Sequence, residues 1–239
     1  ISVMVPPSLL RSTKRLIWAA KNLPFHKTSY VCMFYGMTQI THPFSDSKAS
    51  DSGGFPPFRI GVQFTRYPGH ENGQLLDSLR AALDDGFTLV VLNSIAAELA
   101  AGSPDGLDEV AQEARRAGAE LQLGLGCAGP FGDPATVRAE LARALARGVE
   151  LGITEFFVYT RSERAGAEEG GRFLDHAAQL RRVRSNLEAL AAQAREAGAR
   201  INVKTHEDLA SAEVHALVQS LDPAVFGIGL DVPWVRASI

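Results

Sequence analysis

The chain has 239 residues, 46% of them apolar and 21% charged, and a formal net charge of −3. Those values suit one large α/β domain with a sizeable core, and they give no reason to expect nucleic acid or an anionic membrane as a partner. No apolar run is long enough to cross a bilayer. The two cysteines, Cys32 and Cys127, lie far apart and outside any CxxC pattern, which argues against a disulfide framework or structural zinc and fits a reducing cytoplasm.

The chain opens on Ile1, and up to Ser45 it carries Arg11, Lys14, Arg15, Lys21 and Lys27 with no acidic residue. An acid-poor start of this kind is compatible with a transit peptide. A poorly ordered or non-native extension is the reading preferred, with little stable structure apart from a helix over Leu9–Lys21. The run SDSKASDSGGFPPF then marks a boundary, dividing a 1–57 extension from a 58–239 domain.

From Phe58 onward, short apolar runs alternate with amphipathic stretches. RIGVQF, FTLVVLN, ELQLGLG, ITEFFVYT, RINVKTH and VFGIGLDV have the length and side chains of strands buried on both faces. Between them LLDSLRAALDD, LDEVAQEARRAG, PATVRAELARALARG, LDHAAQLRRVRSNLEALAAQAREAG and SAEVHALVQSL have helical periodicity, and ERAGAEEGG adds a polar loop. Gly86, Gly118, Gly148 and Gly198 fall where each helix should close before the next strand. Strands and helices alternating at this pitch predict a parallel sheet.

Six strands are predicted, the last at Val225–Val232, whereas a closed (β/α)8 barrel needs eight. The first βα turn, FTRYPGHENG, lacks the GxGxxG spacing of a dinucleotide fold and the GxxxxGK[ST] of a phosphate loop. A TIM-type parallel barrel that stops after about six strands is therefore expected.

In such a barrel the active site forms at the C-terminal ends of the strands. The fifth end, INVKTHED, passes abruptly from an apolar strand to Lys204, Thr205, His206, Glu207 and Asp208. Packed at a strand mouth, such groups shift one another's pKa values, as acid–base chemistry requires. Lys204 and His206 are the leading catalytic candidates, with Glu207 behind them. Asp208 reads instead as the opening of the next helix. The sixth end brings out Asp231, either a cation ligand or an ion-pair partner for Lys204. Cys127 reads as a small packing residue, and Arg161 as an anion contact or a surface salt bridge.

The stretch INVKTHEDLASAEVHALVQSLDPAVFGIGLDV resembles the fifth-strand to sixth-strand region of sugar phosphate isomerases/epimerases of the xylose isomerase-like TIM barrel group. The resemblance implies a divalent metal (Mn, Mg or Zn) held by a Glu at the fifth strand end, an Asp at the sixth, a His at the seventh and a Glu at the eighth. Asp231 would then be the sixth-strand ligand. Lys204 stands where the first Glu is expected, and a protonated lysine cannot ligate a metal. The last two ligands would fall beyond Ile239, so the usual metal site is not expected in this chain.

The resemblance implies action on a small sugar, keto-sugar or sugar phosphate by proton transfer next to a carbonyl. Lys204 would supply the charge of the missing metal. The alternative is a non-catalytic barrel relative that binds a small ligand, or an inactive fragment. A phosphodiesterase of the endonuclease IV type would need further His and acidic ligands that the first four strand ends do not supply.

Overall fold

A computed structural model describes residues 29–34, 59–64, 67, 69–70, 73–93, 106–206 and 208–229. In chain order, β1 (Ser29–Phe34) and β2 (Arg59–Phe64) lead into α1 (Leu75–Asp84), β3 (Leu89–Leu92), α2 (Leu107–Arg116) and β4 (Glu120–Cys127). Next come α3 (Pro134–Glu150), β5 (Glu155–Tyr159), the short strands β6 (Ala167–Glu169) and β7 (Arg172–Leu174), and the helices α4 (His176–Glu188) and α5 (Ala191–Glu196). The described residues finish with β8 (Arg200–Lys204), α6 (Ser211–Gln219) and β9 (Phe226–Gly229).

The main sheet runs β1-β2-β3-β4-β5-β8-β9. From β2 to β9 every pairing is parallel, and these six strands are the six read from the sequence. β1 was not anticipated. It pairs antiparallel along the outer edge of β2, from Ser29↔Phe64 to Phe34↔Arg59. The helix expected over Leu9–Lys21 lies outside the described residues.

Each strand presents one face to the helices. Leu123, Leu125, Phe156, Val158, Ile201 and Val203 are at most 1% exposed on that side, and each such side chain contributes about 1.5–3 kcal/mol by leaving water. β3 is buried on both faces, as expected of a parallel strand. β8 departs from that pattern by alternating as far as Val203, whereas in β5 only the end residues Glu155 and Tyr159 are less than fully buried. On their inner face Asn202 Nδ2 donates to Glu155 Oε2 at 3.2 Å, so the interior of the curl is partly polar.

The helix starts follow local chemistry. Asp133 accepts from Thr136 N at 2.9 Å ahead of Pro134, the first residue of α3, and Asp175 accepts from Ala178 N at 2.6 Å ahead of α4; both satisfy amides that the helix itself leaves unpaired. α6 is capped by its own third residue, with Ala210 N donating to Glu213 Oε2 at 2.7 Å.

Gly86, Gly118 and Gly198 have the left-handed backbone expected at helix ends. Gly148 does not. It lies inside α3, and Gly152 is the left-handed residue that follows. The reason for glycine at 148 is packing: a Cβ there would sit 2.3 Å from Phe156 Cε1, so only a bare backbone lets α3 close on β5.

The predicted polar loop supplies the first strand and the turn of a hairpin, β6 and β7, turned by Gly170 and Gly171 with φ of 57° and 76°. Two consecutive left-handed residues suit a tight two-residue hairpin turn. Gln179, fully buried, secures the base of this excursion. Its Oε1 accepts from Glu163 N at 2.7 Å, and its Nε2 donates to Glu163 O at 3.1 Å and Leu174 O at 3.0 Å. Near the tip, Glu169 accepts from Gly132 N and pairs with Arg182.

Candidate active site at the strand ends

Lys204 closes β8 and is 7% exposed. Its Nζ donates to Gln63 Oε1 at 2.7 Å and stands 4.3 Å above the centre of the Phe157 ring. β2 and β8 are four places apart in the sheet, about 19 Å in a flat array. Direct contact between their side chains therefore shows the sheet curled as a partial barrel, with Lys204 reaching across its interior. Gln63 Nε2 donates in turn to Asn93 Oδ1 at the end of β3. The carboxamides of Gln63 and Asn93 thus hold the ammonium in one place, and the Phe157 ring face adds a cation–π contact.

His206 lies two residues beyond Lys204, with its side chain about a quarter exposed. Its ring centroid is 6.3 Å from that of Tyr159, the last residue of β5. Arg161 stacks on the same tyrosine, 5.5 Å from its centroid. Burial pushes the Tyr159 hydroxyl up, with Cys127 adding to this and Arg161 opposing it. The Cys127 thiol is also pushed up, by burial first, against the Gly129 amide and Arg161. A thiol kept protonated is a weak nucleophile.

Asp208 corrects the sequence reading. It is not the cap of α6, since that start is served by Ala210 and Glu213. Its carboxylate is buried and turned toward the end of β5. Oδ2 accepts from Thr160 Oγ1 at 2.6 Å, Ser162 N at 2.8 Å and Ser162 Oγ at 3.2 Å. Burial alone would raise its pKa, but His206, Thr160, Ser162 and its own amide together hold it at about 2. Oδ1 lies 3.6 Å from His206 Nδ1.

The structure thus brings Lys204 and His206 to one strand end, whereas Glu207 and Asp231 lie outside the described residues. Gln63, Asn93, Thr160 and Ser162 join them without having been assigned a role from sequence, and Asp208 joins them in place of the helix-start role read for it. Their one visible signal was that each is a polar residue at or just past a strand end.

Among the described residues no group of three or more His, Cys, Asp or Glu side chains could hold a metal ion. Among the described residues the chemistry of this end does not fit one either. Where the resemblance calls for a carboxylate ligand, Lys204 brings a positive charge and no lone pair. No described helix is long and apolar enough to cross a membrane.

No family model matches the sequence, and no curated protein sequence does. Solved structures match at the level of the fold. A D-psicose 3-epimerase from Clostridium cellulolyticum H10, solved with D-tagatose, superposes with a TM-score of 0.56 at 14% identity over 72% of this chain and 62% of that one. A 3-keto-D-glucoside 4-epimerase from E. coli gives 0.56 at 15% identity over 74% and 69%. The IolI protein with a bound zinc atom gives 0.52 at 13% over 67% and 58%. The chain spans 62% of the length of each of the D-psicose and L-ribulose 3-epimerases that it matches. The described part of the chain thus shares the parallel α/β fold of these solved epimerase structures, curled as a partial barrel.

Proposed function

We propose that this chain supplies part of an isomerase or epimerase barrel that moves a proton next to the carbonyl of a small sugar, keto-sugar or sugar phosphate. The observation that carries the reading is the buried Lys204 ammonium, held by Gln63 at 2.7 Å at the C-terminal end of β8. The sugar epimerases among the solved structures with this fold support the substrate class.

Removing a proton next to a carbonyl leaves negative charge on the oxygen. A fixed ammonium beside that oxygen stabilises the charge as it develops, and more strongly in a dry site than in water. Lys204 suits this role because its position is set in advance. His206, at the same strand end and partly exposed, is the group to take up or return the proton. In this reading Lys204 does the electrostatic work that a divalent cation does elsewhere, and no step passes through a metal.

The test is solvent exchange. The protein, expressed with its full native coding region, is incubated in D2O with a panel of ketohexoses, pentuloses and their phosphates. Deuterium entering the carbon beside the carbonyl, together with epimer formation, is the expected result. Lys204→Met keeps the aliphatic stem against Phe157 and should lower kcat/KM by about 10²–10³. Exchange undiminished in Lys204→Met would remove Lys204 from the mechanism. Ligand binding without exchange by the wild type would make the protein a sugar-binding relative.

A further inference from the structure

We infer that Asp208 is the positioning residue for His206: its buried Oδ1 takes the Nδ1 side of the imidazole and leaves Nε2 as the atom that exchanges a proton with a ligand. This rests on the reading of the Lys204 end as the reactive one, and it assigns work to a carboxylate that the helix-start pattern conceals.

The two oxygens of Asp208 have different surroundings. Oδ2 has three donors, from Thr160 and Ser162, which tie the segment after β8 to the segment after β5. A purely structural role ends there. Oδ1 is just as deeply buried, yet among the described residues it has no hydrogen-bond partner. It faces His206 Nδ1 at 3.6 Å, within ion-pair reach but long for a hydrogen bond. A buried carboxylate oxygen without a donor is costly, and a small turn of the partly exposed imidazole removes the cost. Neutral imidazole has one N–H, so placing it on Nδ1 leaves the lone pair on Nε2.

Among the described residues, the other groups facing the ring do not compete for this bond. Tyr159 presents its ring at 6.3 Å and 35°. Arg161, on the same tyrosine, is a cation and cannot accept. The Cys127 thiol is kept protonated by burial. Among the described residues Asp208 supplies the one carboxylate within 4 Å of His206.

The test is imidazole 15N NMR on the full chain, with the His206 signals assigned by their loss in His206→Gln. In the wild type the neutral ring should carry its proton on Nδ1. In Asp208→Asn the three donors around Oδ2 fix the amide oxygen there, so the amide NH2 faces Nδ1. The ring should then switch to the Nε2–H tautomer, and its protonation midpoint should fall by about one pH unit. Thr160→Val, which removes one donor from Oδ2 only, should leave the His206 tautomer unchanged.

The reciprocal reading uses a variant at a partly exposed position. His206→Gln should raise the 13C carboxyl midpoint of Asp208. Unchanged His206 spectra in a folded Asp208→Asn protein would overturn the inference. Should that variant fail to fold, an unmoved Asp208 midpoint in His206→Gln would overturn it instead. Neither measurement needs turnover, so a negative deuterium-exchange result leaves this test standing, and the reverse is also true.

Discussion

Asp208 is ionised well below the range of a free aspartate, at about 2, against roughly 3.9 in an unfolded chain. A carboxylate with a depressed folded pKa stabilises the protein fully above its unfolded value and loses that contribution as pH falls through the folded one. On the order of 2 kcal/mol should therefore disappear between about pH 5 and pH 2. Urea denaturation of the wild type and Asp208→Asn at both pH values checks this, the wild type being expected to lose more stability on acidification. Equal losses would assign the acid sensitivity to other carboxylates. The place of Lys204 and His206 at a strand end was legible in the sequence because polar groups there end an apolar run abruptly. Asp208 was not, because HEDLASAEV satisfies a helix-start pattern equally well. The residues that show its real task, Thr160 and Ser162, are 48 and 46 positions away.

At the scale of elements, α3 and β5 meet through the bare backbone of Gly148. Gly148→Ala should destabilise the fold by about 1–3 kcal/mol, the usual cost of overpacking, even though alanine favours helix more than glycine does. Thermal and urea unfolding check the sign: a gain in stability would mean that Phe156 can move aside. Here the sequence was misleading for a simple reason. An RG-V joint looks the same whether the glycine ends a helix or makes room for a ring from the next strand. The six parallel strands were legible to within one or two residues at most ends, since their apolar cores are continuous. The hairpin β6–β7 was hidden by its own polarity: its strands are three residues long and the exposed Phe173 is among its few apolar side chains. Its Gly170–Gly171 pair was the available signal.

At the scale of the molecule, β1 occupies the outer edge of β2, where unpaired backbone groups would otherwise invite another strand. Deleting residues 1–34 should bare that edge and produce concentration-dependent self-association, read by light scattering. A monodisperse truncated protein would show that the edge is covered in another way. The alternation of strand and helix made the parallel sheet legible. The antiparallel β1 was not, because it stands apart from that rhythm, in a stretch where no strand was expected.

The bond between Lys204 and Gln63 joins residues 141 positions apart in the chain. Bringing such distant segments together carries a loop-closure cost that local pairings do not. The intervening strands can pair with their neighbours one at a time, but this bond requires both β2 and β8 to be in place. This strand end is therefore expected to be among the last features to assemble on the folding route. A ligand that recognises the seated ammonium would select chains that have finished folding, and would add to their stability in proportion to its own affinity.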